Sequence, residues 1–126
     1  MARILIVDDD ADMRAMLQDT LRNAGYEVVS AADGKEALKL HRKEAADLVI
    51  TDLFMPNKDG FETINDLRKE SPRTLLIAIC GRPPAMQLLP LAQRLGAADV
   101  LQKPFAADDL LKAVRRVLSA ESPTPS

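Results

Sequence analysis

The stretch Ile4-Leu5-Ile6-Val7-Asp8-Asp9-Asp10 sets four consecutive branched aliphatic residues directly against three carboxylates. Four apolar side chains in a row leave a strand with no polar face, so such a strand must be covered on both sides. Working outward, similar β-branched or aliphatic runs recur at Val28–Ser30, Leu48–Thr51, Leu75–Ile79 and Val100–Leu101. The segments between them carry helical spacing instead. Met13, Met16, Leu17, Leu21 and Ala24 recur every three to four positions, and Gly25 offers a left-handed stop. Asp33 with Glu36 reads as a capping box that opens a helix through about Lys43. Phe61, Ile64 and Leu67 mark a third helix ended by Pro72, and Leu110, Leu111, Val114, Val117 and Leu118 mark the last. Pro83, Pro84 and Pro90 crowd Gly81–Leu95, where an interior proline costs a helix about 3 kcal/mol. A long loop after Cys80, then a short fourth helix from near Leu89 to Gly96, is expected there, as the least stable part of the domain.

The alternation is five βα units. It predicts an α/β fold: a doubly wound parallel sheet of five strands flanked by five helices, with right-handed crossovers. In such sheets chemistry gathers beyond the carboxyl ends of the strands.

Composition bounds the function. The chain has 126 residues, 17 basic and 19 acidic, for a net charge of -2. That length is one domain, and the acidic balance argues against direct nucleic-acid binding. At 47% hydrophobic and 29% charged residues the chain is an ordinary globular sequence rather than a disordered one. No apolar run reaches the roughly 20 residues of a membrane span, and no leader pattern opens the chain. Cys80 is the single cysteine, which excludes an internal disulfide and suits a cytoplasmic location. The domain is expected to occupy residues 1–119, with 120–126 as a disordered tail or the start of a linker.

The charged residues at strand ends carry the chemistry. Strand 1 runs into Asp8, Asp9 and Asp10, strand 3 into Asp52, and strand 5 is followed by Lys103. Carboxylates about 5 Å apart repel by roughly 3 kcal/mol per pair at an effective dielectric near 20. An all-oxygen set of this kind selects Mg²⁺, Mn²⁺ or Ca²⁺. A hard cation, a carboxylate nucleophile and an ammonium are the parts needed to move a phosphoryl group. Each piece also has a plainer role: Asp10 as the N-cap of the first helix, Cys80 as a small buried strand-end residue. His41-Arg42-Lys43 reads as a set of cations at the end of the second helix, and Arg115-Arg116 as a solvated face.

At these residues the sequence resembles the receiver domain of two-component response regulators. The anchors are Ile4–Asp10, Leu48-Val49-Ile50-Thr51-Asp52-Leu53-Phe54-Met55-Pro56, Asp59-Gly60-Phe61-Glu62, Leu95-Gly96-Ala97-Ala98-Asp99 and Lys103-Pro104-Phe105. The resemblance spans Arg3 to Leu118. It implies a flavodoxin-like strand order of 2-1-3-4-5 and a phosphoacceptor at Asp52, charged by a histidine kinase or histidine phosphotransfer protein. It further implies Mg²⁺ or Mn²⁺ held by Asp8, Asp9, Asp52 and the backbone carbonyl of Phe54. Lys103 would pair with Asp52 and then with the phosphoryl group, and Lys103-Pro104 would be cis. Such a chain is a signalling domain that assists its own phosphorylation and dephosphorylation, acting on a downstream protein or output domain.

Two positions depart from the family pattern. Cys80 stands where a Ser or Thr hydroxyl usually donates to the phosphoryl group, and a thiol is a weak donor. The backbone N–H of Gly81 remains available there. Val100 stands where a switching aromatic or His is usual, and a β-branched side chain has few rotamers to swing through. These departures motivate an alternative, a receiver-fold interaction module that works without phosphorylation. A second alternative reads Asp8-Asp9-Asp10 as the nucleophile motif of a small haloacid-dehalogenase-type phosphohydrolase; it would leave Asp52 without a role.

Overall fold

The computed structural model describes residues 2–53, 60–80, 94, 96–103 and 105–121. In chain order the elements are β1 (Arg3–Val7), α1 (Ala11–Asn23), β2 (Glu27–Ala31), α2 (Gly34–Lys43), β3 (Leu48–Asp52), α3 (Gly60–Glu70), β4 (Leu75–Cys80), β5 (Asp99–Gln102) and α4 (Ala107–Glu121). The strands form one parallel sheet in the order β2-β1-β3-β4-β5. This is the doubly wound fold the alternation predicts. Four helices lie among the described residues against the five expected, because the expected fourth helix near Leu89–Leu95 falls outside them.

Strand periodicity explains why both faces are apolar. Leu5, Val7, Val49, Leu76 and Ala78 point to one side, where Ala37 and Leu38 of α2 and Ile64 and Leu67 of α3 cover them. Ile4, Ile6, Ile50, Ile77 and Ile79 point to the other, against Leu17 and Leu21 of α1 and Leu110, Ala113, Val114 and Val117 of α4. Each buried aliphatic side chain contributes about 1.5–3 kcal/mol, and alternate residues of the same strand supply both layers.

Local signals set the helix ends. The Asp10 carboxylate accepts from the N–H of Asp12 at 2.9 Å, so the N-cap reading of Asp10 holds. Asp33 accepts from Glu36 N at 2.9 Å, while Glu36 reaches back to Ala32 N at 3.0 Å, one residue before the expected partner. Gly25 follows α1 at φ 97°, a left-handed geometry that a Cβ would strain. Gly96 stands at φ 99°, and a Cβ there would lie 2.8 Å from Arg68 Nε. The start of the last helix is held by Asp109 Oδ2 accepting from Ala106 N at 3.2 Å.

Two expectations are corrected. α4 continues through Glu121, two residues past the expected domain end at 119, since Ser119, Ala120 and Glu121 tolerate a helix and Pro123 is the first breaker. His41 is not a helix-end cation but a buried ring that bridges α2 to the segment leading into β4. Its Nδ1 accepts from Ala46 N at 3.1 Å, and Nε2 meets Ser71 Oγ at 2.9 Å and Thr74 Oγ1 at 3.3 Å. An Nδ1 that accepts leaves the proton on Nε2, so the ring is neutral. Burial lowers the His41 pKa, more than the nearby Glu70 charge raises it.

Candidate functional site

Parallel pairing brings every strand terminus to one edge. Val7 stands opposite Thr51 in the β1–β3 ladder, so the next residues, Asp8 and Asp52, emerge side by side. Asp52 is the last residue of β3, opposite Ile79 of β4. Lys103 follows β5, and its N–H donates to the carbonyl of Cys80 at 2.8 Å, which ties the lysine backbone to the end of β4. The predicted strand-end residues therefore meet. Carboxylate oxygens of Asp8, Asp9 and Asp52 all lie within 4.8 Å of one another. Lys103 Nζ donates to Asp52 Oδ2 at 2.9 Å and to Asp8 Oδ2 at 3.2 Å.

Asp8 and Asp52 are buried while Asp9 is exposed. Desolvation raises the Asp8 pKa, and the neighbouring Asp52 charge adds to it, against the opposing pull of the Asp10 N–H and Lys103. For Lys103 burial works to lower the pKa, but its bonds and attraction to Asp52 and Asp8 together carry it above the ordinary value. The lysine is thus a firmly charged ammonium shared by two buried carboxylates.

The donor set fits a hard divalent cation. Around Mg²⁺ at about 2.0–2.1 Å per bond, neighbouring ligand oxygens sit about 3 Å apart and opposite ones about 4 Å. Three carboxylate oxygens spread over no more than 4.8 Å need only a small closure to reach that geometry. The exposed Asp9 leaves the cluster open to water and substrate on one side.

Other expected site positions fall as follows. Cys80 is buried at the end of β4, and its sulfur is not in the three-carboxylate group found among the described residues. Val100 is partly buried in β5, packed on the same core layer as Cys80. The Phe54 carbonyl, Gly81 and the Lys103-Pro104 peptide lie outside the described residues. One residue near the site escaped the sequence reading. Arg14 of α1 donates from Nη1 to the backbone carbonyl of Asp8 at 2.7 Å. The available signal was a cation four residues past the N-cap, within reach of the loop it follows.

A five-stranded parallel sheet with carboxylates and an ammonium converging beyond its strand ends defines a flavodoxin-like α/β domain with an acidic, cation-type site. Comparison with known proteins narrows the class. The sequence pattern of the response regulator receiver domain matches residues 4–115, and the chain belongs to that family. It is 39% identical over 116 residues to the probable transcriptional regulator ycf27 of Porphyridium aerugineum, covering 92% of this chain and 48% of that protein. It is 36% identical over 118 residues to the chemotaxis protein CheY of Bacillus subtilis, covering 93% of this chain and 98% of that one. Among solved structures it resembles CheY4 of Vibrio cholerae at a TM-score of 0.86 and 37% identity, covering 93% and 98%. The receiver domain of NtrX from Brucella abortus superposes at 0.88 with 31% identity, covering 92% and 98%. The chain spans about half the length of the ycf27 regulators and nearly all of the CheY proteins. No helix among the described residues is long and apolar enough to cross a membrane.

Proposed function

We propose that this receiver domain is controlled by phosphorylation of Asp52, with Mg²⁺ or Mn²⁺, from a histidine kinase or histidine phosphotransfer protein. The observation that carries the reading is the convergence of Asp8, Asp9 and Asp52 within 4.8 Å, with Lys103 Nζ 2.9 Å from Asp52. An Asp52 carboxylate oxygen attacks phosphorus in line, and the P–N bond to the donor imidazole breaks. The electron pair leaves with that nitrogen, and the product is an acyl phosphate on Asp52. Lys103 exchanges its bond to the carboxylate for one to a phosphoryl oxygen. Asp8 (directly or through water), Asp9, Asp52 and the carbonyl of Phe54 would hold the cation, which supplies neutralisation of the equatorial oxygens.

In this reading the chain is a signalling domain rather than an enzyme toward other substrates, and it assists its own phosphorylation and dephosphorylation. The phosphorylated state biases the face made by β4, the expected helix near Leu89–Leu95 and β5, through Cys80, Gly81 and Val100. The ycf27 relatives are about twice as long and the CheY relatives about equal in length, so output is sought in an attached domain as well as in a separate protein. We place the domain in the cytoplasm, with no direct contact to nucleic acid or membrane.

The test is intact-mass and peptide mapping after incubation with acetyl phosphate and Mg²⁺. One added phosphoryl group on Asp52, lost in Asp52→Asn and with a chelator present, is the expected result. Labelling of Asp8 instead would return the phosphohydrolase reading. Partner binding that is indifferent to Asp52→Asn would favour the phosphorylation-independent module that Cys80 and Val100 motivate.

A further inference from the structure

Arg14 stands among carboxylates in the chain, yet among the described residues it forms no ion pair with them. Asp8, Asp9, Asp10 and Asp12 all lie within six positions of it in the chain. Among the described residues its guanidinium instead makes the 2.7 Å contact from Nη1 to the main-chain oxygen of Asp8. That choice has a consequence for the ligands. A cation bonded to Asp9 would occupy an oxygen the divalent ion needs, whereas a cation bonded to the Asp8 carbonyl leaves the Asp9 side chain open.

Every other polar atom of Asp8 is also engaged. Its N–H donates to Ala31 O of β2 at 3.1 Å, Oδ1 accepts from Asp10 N at 2.9 Å, and Oδ2 accepts from Lys103 at 3.2 Å. β2, the loop itself and the end of β5 thus hold three atoms of this buried residue, and α1 holds the fourth through Arg14. The carbonyl fixes the peptide plane between Asp8 and Asp9, and with it the direction in which Asp9 leaves the chain.

We infer that Arg14 is a positioning residue for the divalent cation, locking the Asp8–Asp9 peptide so that both carboxylates face one point. The inference rests on the cation reading proposed above. Charge and positioning pull in opposite directions here, which makes the role testable. As a mere counter-charge, Arg14 would repel the ion, and removing it would tighten binding. As a positioning residue, its removal weakens binding by about tenfold, the lower range for partners that orient metal ligands from behind.

Arg14→Met keeps the aliphatic stem and removes both charge and donor. Arg22→Met is the control: on the same helix, Arg22 Nη2 donates to the carbonyl of Val28 at 3.2 Å, away from the site. Mg²⁺ would be titrated into each folded protein by calorimetry and by amide NMR shifts of Asp8, Asp9 and Asp52, with thermal midpoints measured without metal. Arg14→Met is expected to raise the Mg²⁺ dissociation constant about tenfold while Arg22→Met leaves it at the parent value. Unchanged or tighter binding by Arg14→Met overturns the inference, whatever its thermal midpoint. Equal weakening in both variants overturns it too, since the loss would then follow stability alone. Absence of saturable Mg²⁺ binding by the parent protein would instead bring down the cation reading itself.

Discussion

Lys103 offers one ammonium to two buried carboxylates, Asp8 and Asp52, and the residue-scale behaviour of the site follows from that imbalance. With its pKa raised by burial, Asp8 is held charged at a cost to the fold. Replacing it with Asn removes the like-charge contact with Asp52 while Lys103 keeps its shorter bond to Asp52. Asp8→Asn is therefore expected to stabilise the metal-free protein by about 1 kcal/mol in urea unfolding, and to weaken Mg²⁺ binding in calorimetry. A second prediction concerns Cys80. A hydroxyl at this strand end would donate to a bound phosphoryl group where a thiol does so weakly. A charge-assisted hydrogen bond is worth about 1.5–3 kcal/mol, so Cys80→Thr should bind beryllium fluoride roughly tenfold or more tightly. Equal affinities by NMR titration would mean that Cys80 does not face the phosphoryl position.

At the scale of elements, His41 joins α2 to the start of β4 through Ser71 and Thr74. Its folded pKa is lowered, so the unfolded chain takes up the proton first as pH falls. The stabilising contribution is complete above the ordinary histidine value near 6.5 and is lost as pH drops below it toward the folded value. His41→Asn retains an acceptor for Ala46 N but no titrating ring. Its urea stability should fall less steeply than the parent's between about pH 7 and 5.5. His41→Ala, which leaves the Ala46 N–H without its acceptor, should cost about 1–3 kcal/mol at pH 7. None of this was legible in the sequence. Contacts from His41 to residues 30 and 33 positions away leave no periodic trace, and the basic neighbours Arg42 and Lys43 suggested a set of cations at the helix end. The strands were legible because apolar residues on both sides of a strand admit few other environments. Asp8, Asp9, Asp52 and Lys103 were legible because they interrupt those runs at the same end. Arg14 and the back-bond of Asp109 to Ala106 were not, since both depend on side-chain reach across a turn rather than on pattern.

For the whole molecule, the proposed cation binding would be linked to folding. A ligand that binds only the folded state at 100 times its dissociation constant adds about 2.7 kcal/mol. Mg²⁺ should therefore raise the thermal midpoint of the parent in scanning calorimetry. Asp9→Asn should abolish that rise while leaving the metal-free midpoint near the parent value, because Asp9 is exposed and is not one of the carboxylates bonded to Lys103. A similar metal response in both proteins would remove Asp9 from the ligand set.

The sheet is covered on both faces, and its central strands β1, β3 and β4 are its most deeply enclosed parts. The edge that carries Asp8, Asp52 and Lys103 is thus fastened to the amides that should exchange with deuterium most slowly. A foundation that yields so little cannot relay news of a modification by bending. Any message must travel outward along the links that leave the strand tips, and labelling with deuterium should find the altered protection there while the strands themselves stay silent.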